Sequence, residues 1–160
     1  MSEGPARVLI VANRTAAGPA LFSAVGKRAH AGPCRFHLVV PATPRGMHRV
    51  VDPEVAGRWD AELSIQLAVP LLSEAAGAPV TAEVGSADPV AATHDAMHTR
   101  GFDEVIISTL PRPLSRWLRV DLCSKIRHMG APVTHVEAHE TDLVTEIPRR
   151  ELEEAGAVAV

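Results

Sequence analysis

Arg7-Val8-Leu9-Ile10-Val11-Ala12 is a continuous apolar run rich in β-branched side chains. Such a run marks a strand buried on both faces, the kind found in parallel sheets. Glu104-Val105-Ile106-Ile107-Ser108 repeats the pattern, and Arg35–Val40, Pro79–Val84 and Pro132–Val136 add three further candidate strands. The segments between them carry helical spacing. From Pro19 to His30, Leu21, Phe22, Val25 and Ala29 line one side of a helix that Gly32-Pro33 stops. From Glu54 to Ala76, Trp59, Leu63, Leu67 and Leu71 form a near-continuous apolar stripe. Pro70 is expected to kink the last turn of that helix or start a new one, and Gly77 to end it. Asp88 suits an N-cap and Pro89 the first helical position of a helix that runs to Arg100 and is capped by Gly101. Pro113 to Met129 reads as a basic helix.

Strands that alternate with helices in this way predict βαβ units, a parallel sheet and helices on both faces. The expected fold is α/β: three layers, αβα, around a five-stranded parallel sheet of order 3-2-1-4-5, Rossmann-like in type. Ligands of such sheets bind beyond the carboxyl ends of the strands where the order reverses, here between the first and fourth strands. The loops Ala12 to Gly18, Pro41 to Arg49, Gly85 to Pro89 and Ser108 to Arg116 converge there. The domain is expected over residues 1–139, with a charged tail over 140–160.

At 160 residues, with 46% hydrophobic and 22% charged residues, the chain is long enough for one domain with a real core. A net charge of -3 argues against generic nucleic-acid binding, and 3% aromatics with no tyrosine argue against a stacking platform for single strands. Two cysteines, Cys34 and Cys123, make no disulfide framework. With no secretory leader pattern after Met1 and no apolar run of membrane-spanning length, a cytoplasmic location without membrane partners is expected.

The stretch from Gly85-Ser86-Ala87-Asp88-Pro89 through Asp103-Glu104-Val105-Ile106-Ile107 to Ala131-Pro132-Val133 resembles the universal stress protein family, and the first strand followed by Asn13-Arg14-Thr15 fits the same pattern. The likeness runs from Arg7 to Val136. It implies the adenine nucleotide alpha hydrolase-like fold, a homodimer formed through the last strand, and a regulatory module that takes a small molecule. Two positions depart from the ATP-binding pattern of the family. Asn13 stands where those members carry Asp, and Ser108 to Arg119 contain no glycine where they carry a Gly-x2-Gly-x9-Gly-Ser/Thr loop. Glycine allows close backbone approach to phosphate, and Pro111 and Pro113 further remove two N–H donors.

The expected reading is therefore a binding module without catalysis, its nucleotide or anion site altered. Its contacts would come from Ala12 and Asn13, Val40, Ser108, Thr109, Arg112, Ser115 and Arg116. Adenine would lie on the apolar strand ends, and the arginines would meet phosphates by charge-assisted contacts. The cofactor, if one is held, is an adenine nucleotide or another phosphate-bearing ligand. Against this stands a plain solvated basic face, in which the arginines pair with Asp60, Glu62 or Asp121. The alternative function is a ligand-free scaffold acting through protein partners, with a nucleotide-dependent enzyme third. His94 and His98, four apart, and His135, Glu137 and His139, alternating on a strand, have metal-like spacing, yet an exposed helix edge and an edge strand explain them as well. No Gly-x-Ser-x-Gly elbow, Walker A loop or Gly-x-Gly-x-x-Gly fingerprint occurs.

Overall fold

The computed structural model describes residues 4–43, 53–111, 115, 117 and 121–139. The chain alternates strand and helix: β1 (Ala6–Val11), α1 (Pro19–Ala31), β2 (Cys34–Pro41), α2 (Pro53–Ala76), β3 (Thr81–Gly85), α3 (Pro89–Arg100), β4 (Glu104–Thr109), α4 (Leu122–Arg127) and β5 (Val133–Glu137). All four strand pairings are parallel, and the order is β3-β2-β1-β4-β5. This is the predicted sheet, with the predicted reversal between β1 and β4.

The apolar runs are continuous because both faces of the central strands are covered. Val8, Ile10, Leu38, Val40 and Ile106 face α1 and α2, and Leu9, Val11, Val39, Val105 and Ile107 face α3 and α4. Successive side chains alternate between the two cores, so every position must be apolar. β1 is the axis of the fold, and Val8 to Ala12 are wholly buried.

The helix ends follow their local chemistry. Asp88 accepts the Val90 N–H at 2.9 Å, and Pro89 opens α3. Gly101 closes it at φ 69°, its N–H donating to the Met97 carbonyl, a conformation that favours glycine. α2 continues through Pro70 to Ala76.

Two expectations need correction. The basic helix read over Pro113–Met129 is not one helix. Trp117 is helical, but Asp121 adopts φ 53° and ψ 48°, the left-handed region, and the helix that packs on the sheet begins at Leu122. A single left-handed residue reverses the helical path, and Asp tolerates that conformation better than most side chains. The apolar stripe of α2 also faces outward: its core-facing residues are Ala61, Ala68 and Leu72, with Ile65 packed beside them. The tail over 140–160 and most of the Pro41–Pro53 loop lie outside the described residues.

Candidate functional site at the strand carboxyl ends

After β1 the chain turns at once. The Ala16 N–H donates to the Asn13 carbonyl at 3.2 Å, and the Gly18 N–H to the Thr15 carbonyl at 3.0 Å, which delivers Pro19 to the start of α1. Two side chains of this turn tie it to neighbouring strands. Asn13 Nδ2 donates to the Pro41 carbonyl at the end of β2, 3.2 Å away. The hydroxyls of Thr15 and Ser108 share a hydrogen bond of 2.6 Å, across 93 residues of chain, between the β1 turn and β4.

Ser108 and Thr109 point to opposite sides of β4. Thr109 Oγ1 and His135 Nε2 are 2.8 Å apart, which joins β4 to β5. The Ser115 N–H donates to the Pro111 carbonyl at 3.1 Å, and Ser115 is itself buried. Thr15, Ser108, Thr109 and Ser115 are each no more than 4% exposed, so four hydroxyls are buried near the reversal of strand order. Ala12 and Val40 supply apolar ends to β1 and β2 and are wholly buried.

The structure places Ala12 and Asn13 directly after β1, Val40 near the end of β2, Ser108 and Thr109 at the end of β4, and Ser115 beside Pro111. Arg112 and Arg116 lie outside the described residues. Thr15 and Arg14 were not among the residues read as contacts. Arg14 is exposed directly after β1, a cation at the reversal point. Its signal was its position: any residue within three of the end of the central strand reaches this edge.

Other chemistry-bearing groups lie elsewhere. An open groove of about 440 Å³ runs between α1 and the β4–β5 side of the sheet, lined by Ser23, Lys27, Ile106 and Thr134 and bounded by the Arg28–Glu104 pair. It lies towards the start of β4, away from the reversal point. Burial pushes the thiols of Cys34 and Cys123 up, so neither is primed as a nucleophile. His94 and His98 stack at 5.8 Å between ring centroids. Among the described residues no group of three or more His, Cys, Asp or Glu is placed to hold a metal ion.

His37 is the one deeply buried imidazole on the sheet. Its Nδ1 meets Thr81 Oγ1 at 2.7 Å and its Nε2 meets Glu83 Oε1 at 3.1 Å, while Phe102 stacks on the ring at 5.9 Å. Burial pulls its pKa below the ordinary 6.5, and the hydrogen bond to Glu83 opposes that shift.

The fold is that of universal stress proteins. It is similar to the crystal structure of a protein from the universal stress protein family from Burkholderia pseudomallei, with a TM-score of 0.58 and 15% identity, over 84% of this chain and 98% of that one. It is also similar to a universal stress protein crystallised in complex with cAMP, with a TM-score of 0.55 and 12% identity, over 86% of this chain and all of that one. No family model matches the sequence, and no curated protein matches it. Among the described residues no helix is long and apolar enough to cross a membrane.

Proposed function

We propose that the chain is a small-molecule-binding regulatory module of the universal stress protein kind, with a phosphate-bearing ligand held between the ends of β1 and β4. The observation that carries this reading is the group of four buried hydroxyls beside an exposed Arg14 at the reversal of strand order. An adenine ring would rest against the apolar ends at Ala12 and Val40. Asn13, Ser108 and Thr109 would exchange their hydrogen bonds to Pro41, Thr15 and His135 for bonds to the ligand, Ser115 would join them, and Arg14, Arg112 and Arg116 would meet the phosphates. The cAMP complex of a similarly folded protein supports an adenine nucleotide as the first ligand to try.

The site is altered because the loop after β4 carries no glycine. Backbone amides cannot then wrap a triphosphate, and charge on long side chains takes their place. Such contacts weaken in salt. The module is read as non-catalytic.

Titration calorimetry with ATP and with cAMP, at low and at physiological salt, tests the reading. Binding that weakens as salt rises, and weakens again in Arg14→Ala and Arg116→Ala, is expected. Tight binding indifferent to salt and to both substitutions would place the ligand elsewhere. No binding of either nucleotide at low salt favours the scaffold reading, which an exposed apolar face on α2 also supports.

The homodimer is proposed through β5, which among the described residues is an edge strand paired with β4. Glu137→Pro, at a position whose N–H points away from β4, is expected to weaken this contact in sedimentation experiments.

A further inference from the structure

We propose that the segment following β5, residues 140–147, folds back along the sheet and docks Leu143, Val144 and Ile147 into the groove beside α1. The groove follows from how the chain crosses over. α1 and α2 lie on one face of the sheet, and α3 and α4 lie on the other. Right-handed crossovers to β4 and β5 use that second face. On the first face, α1 is the helix packed against β5. The opening of about 440 Å³ is lined by Ala20, Ser23, Ala24 and Lys27 of α1 and by Ile106 and Thr134 of the sheet. Thr134 is exposed, and Val136, two residues on, is half-buried.

Position selects the occupant. β5 delivers the chain to the carboxyl end of the sheet, where the Ala138 N–H donates to the Thr109 carbonyl at 2.9 Å. α1 starts at that same end and runs back, so Lys27 stands about 12 Å down the helix from Pro19. From His139 to Ile147 the chain covers about 12 Å as helix and about 26 Å extended, so either path reaches Lys27. At helical spacing Leu143, Val144 and Ile147 share one side, with Asp142 and Glu146 four apart on its flank. A segment tethered this closely has an effective concentration of millimolar order, which a free partner must exceed. Docking occupies the face of β5 and not its edge, so it does not compete with the homodimer proposed through that strand.

Charge agrees with position. α1 carries Lys27, Arg28 and His30 and no carboxylate. Arg28 is held by Glu104 at 2.6 Å, and Lys27 is exposed where it lines the groove. Residues 140–147 carry Glu140, Asp142 and Glu146 and no cation. Setting their apolar side into the groove brings these carboxylates to the basic side of α1. Burial of the three apolar side chains supplies the main attraction, and the exposed contact with Lys27 adds less and sets the direction.

Carbodiimide cross-linking of the full chain tests this, because the reagent joins an amine directly to a carboxylate. The chain has two lysines, Lys27 on α1 and Lys125 on α4, both exposed and on opposite faces of the sheet. Lys125 lies nearer the start of α4 than Lys27 does to the start of α1, so a segment ranging freely from β5 reaches it at least as readily. Peptide mapping is expected to find Glu140, Asp142 or Glu146 joined to Lys27 at least about fivefold more often than to Lys125. Two variants are expected to bring the lysines to parity. Leu143→Ser with Ile147→Ser removes the apolar anchors, and Ser23→Trp fills the groove from an exposed position of α1. Circular dichroism shows whether each variant is folded. Mixing isotope-labelled with unlabelled chains separates contacts within a chain from contacts between copies. The proposal is overturned if Lys27 is joined no more often than Lys125, if either folded variant keeps the native excess, or if the cross-links to Lys27 join two chains.

Discussion

Towards the amino ends of the strands, the side chains that meet are charged. Asp103 accepts the Arg7 N–H at 2.8 Å, Arg28 meets Glu104 at 2.6 Å, and Glu83 lies within 3.1 Å of His37 and 3.7 Å of Arg100. At the carboxyl ends of β1 and β4 the contacts are neutral: Asn13 to Pro41, Thr15 to Ser108, Thr109 to His135. The first end neutralises its charges within the fold. The second pairs its hydroxyls with one another and with His135, and has Arg14 exposed after β1 and Glu137 in register with Thr109. One end of the sheet is tied by charged pairs, and the other by contacts of hydroxyls, an amide and an imidazole.

The largest effect is expected where the carboxyl end is packed most tightly. A Cβ on Gly85 would stand 2.7 Å from the Cβ of Ala92 and 2.8 Å from Cγ1 of Val39. Gly85→Val forces α3 away from β3 and is expected to cost about 3 kcal/mol in urea unfolding. A cost near zero would show that this end is looser than its contacts imply.

Next comes the hydroxyl pair. Thr15→Val leaves the Ser108 hydroxyl buried without its partner and is expected to cost about 2 kcal/mol. Adding Ser108→Ala removes the orphan, so the double variant is expected to lose less than the sum of the two single losses. Strict additivity would mean that the pair does not couple β1 to β4.

A smaller effect is expected at the charged end. The Arg28 and Glu104 side chains are each 22% exposed, and water screens the pair. Glu104→Gln is expected to cost about 1 kcal/mol, and less in high salt. A cost above that of Thr15→Val would reverse the comparison between the ends.

The smallest effect is a slope with pH. The folded state holds His37 below its ordinary pKa of 6.5 because the ring is buried. Between the folded value and 6.5 the unfolded chain binds more protons, so stability rises with pH there. The contribution is complete above about 6.5 and is lost as pH falls towards the folded value. His37→Gln is expected to flatten that part of the curve, measured by urea midpoints from mildly acidic to neutral pH.

The sheet could be read from Val8 to Ala12 and Val105 to Ile107, because burial on both faces writes itself into composition. Its order is one of the few that right-handed crossovers leave, taken for the reversal it sets between the first and fourth strands. The facing of α2 could not be read so simply. A strict four-residue repeat drifts around a helix of 3.6 residues per turn, whereas the core takes Ala61, Ala68 and Leu72. Alanine signals burial weakly, and tryptophan and leucine draw the eye. Asp121 gave no sign that it would interrupt a helical pattern. At the candidate site, Ser108 and Thr109 were readable as residues ending a central strand. Thr15 was not, since its partner lies 93 residues away and small hydroxyls have no periodicity. His37 sits on a central strand as a polar residue in an apolar run, a mark that only its neighbours Thr81 and Glu83 explain.

The reversal of strand order also sets a schedule for synthesis. β3, β2 and β1 can assemble once Gly85 has left the ribosome, but the second neighbour of β1 is β4, which begins at Glu104. At about 5–20 residues per second, the open edge of Val8 to Val11 waits roughly one to five seconds for its partner. For that interval the most apolar strand of the protein presents unpaired backbone to its surroundings, a template on which nascent chains cross-pair.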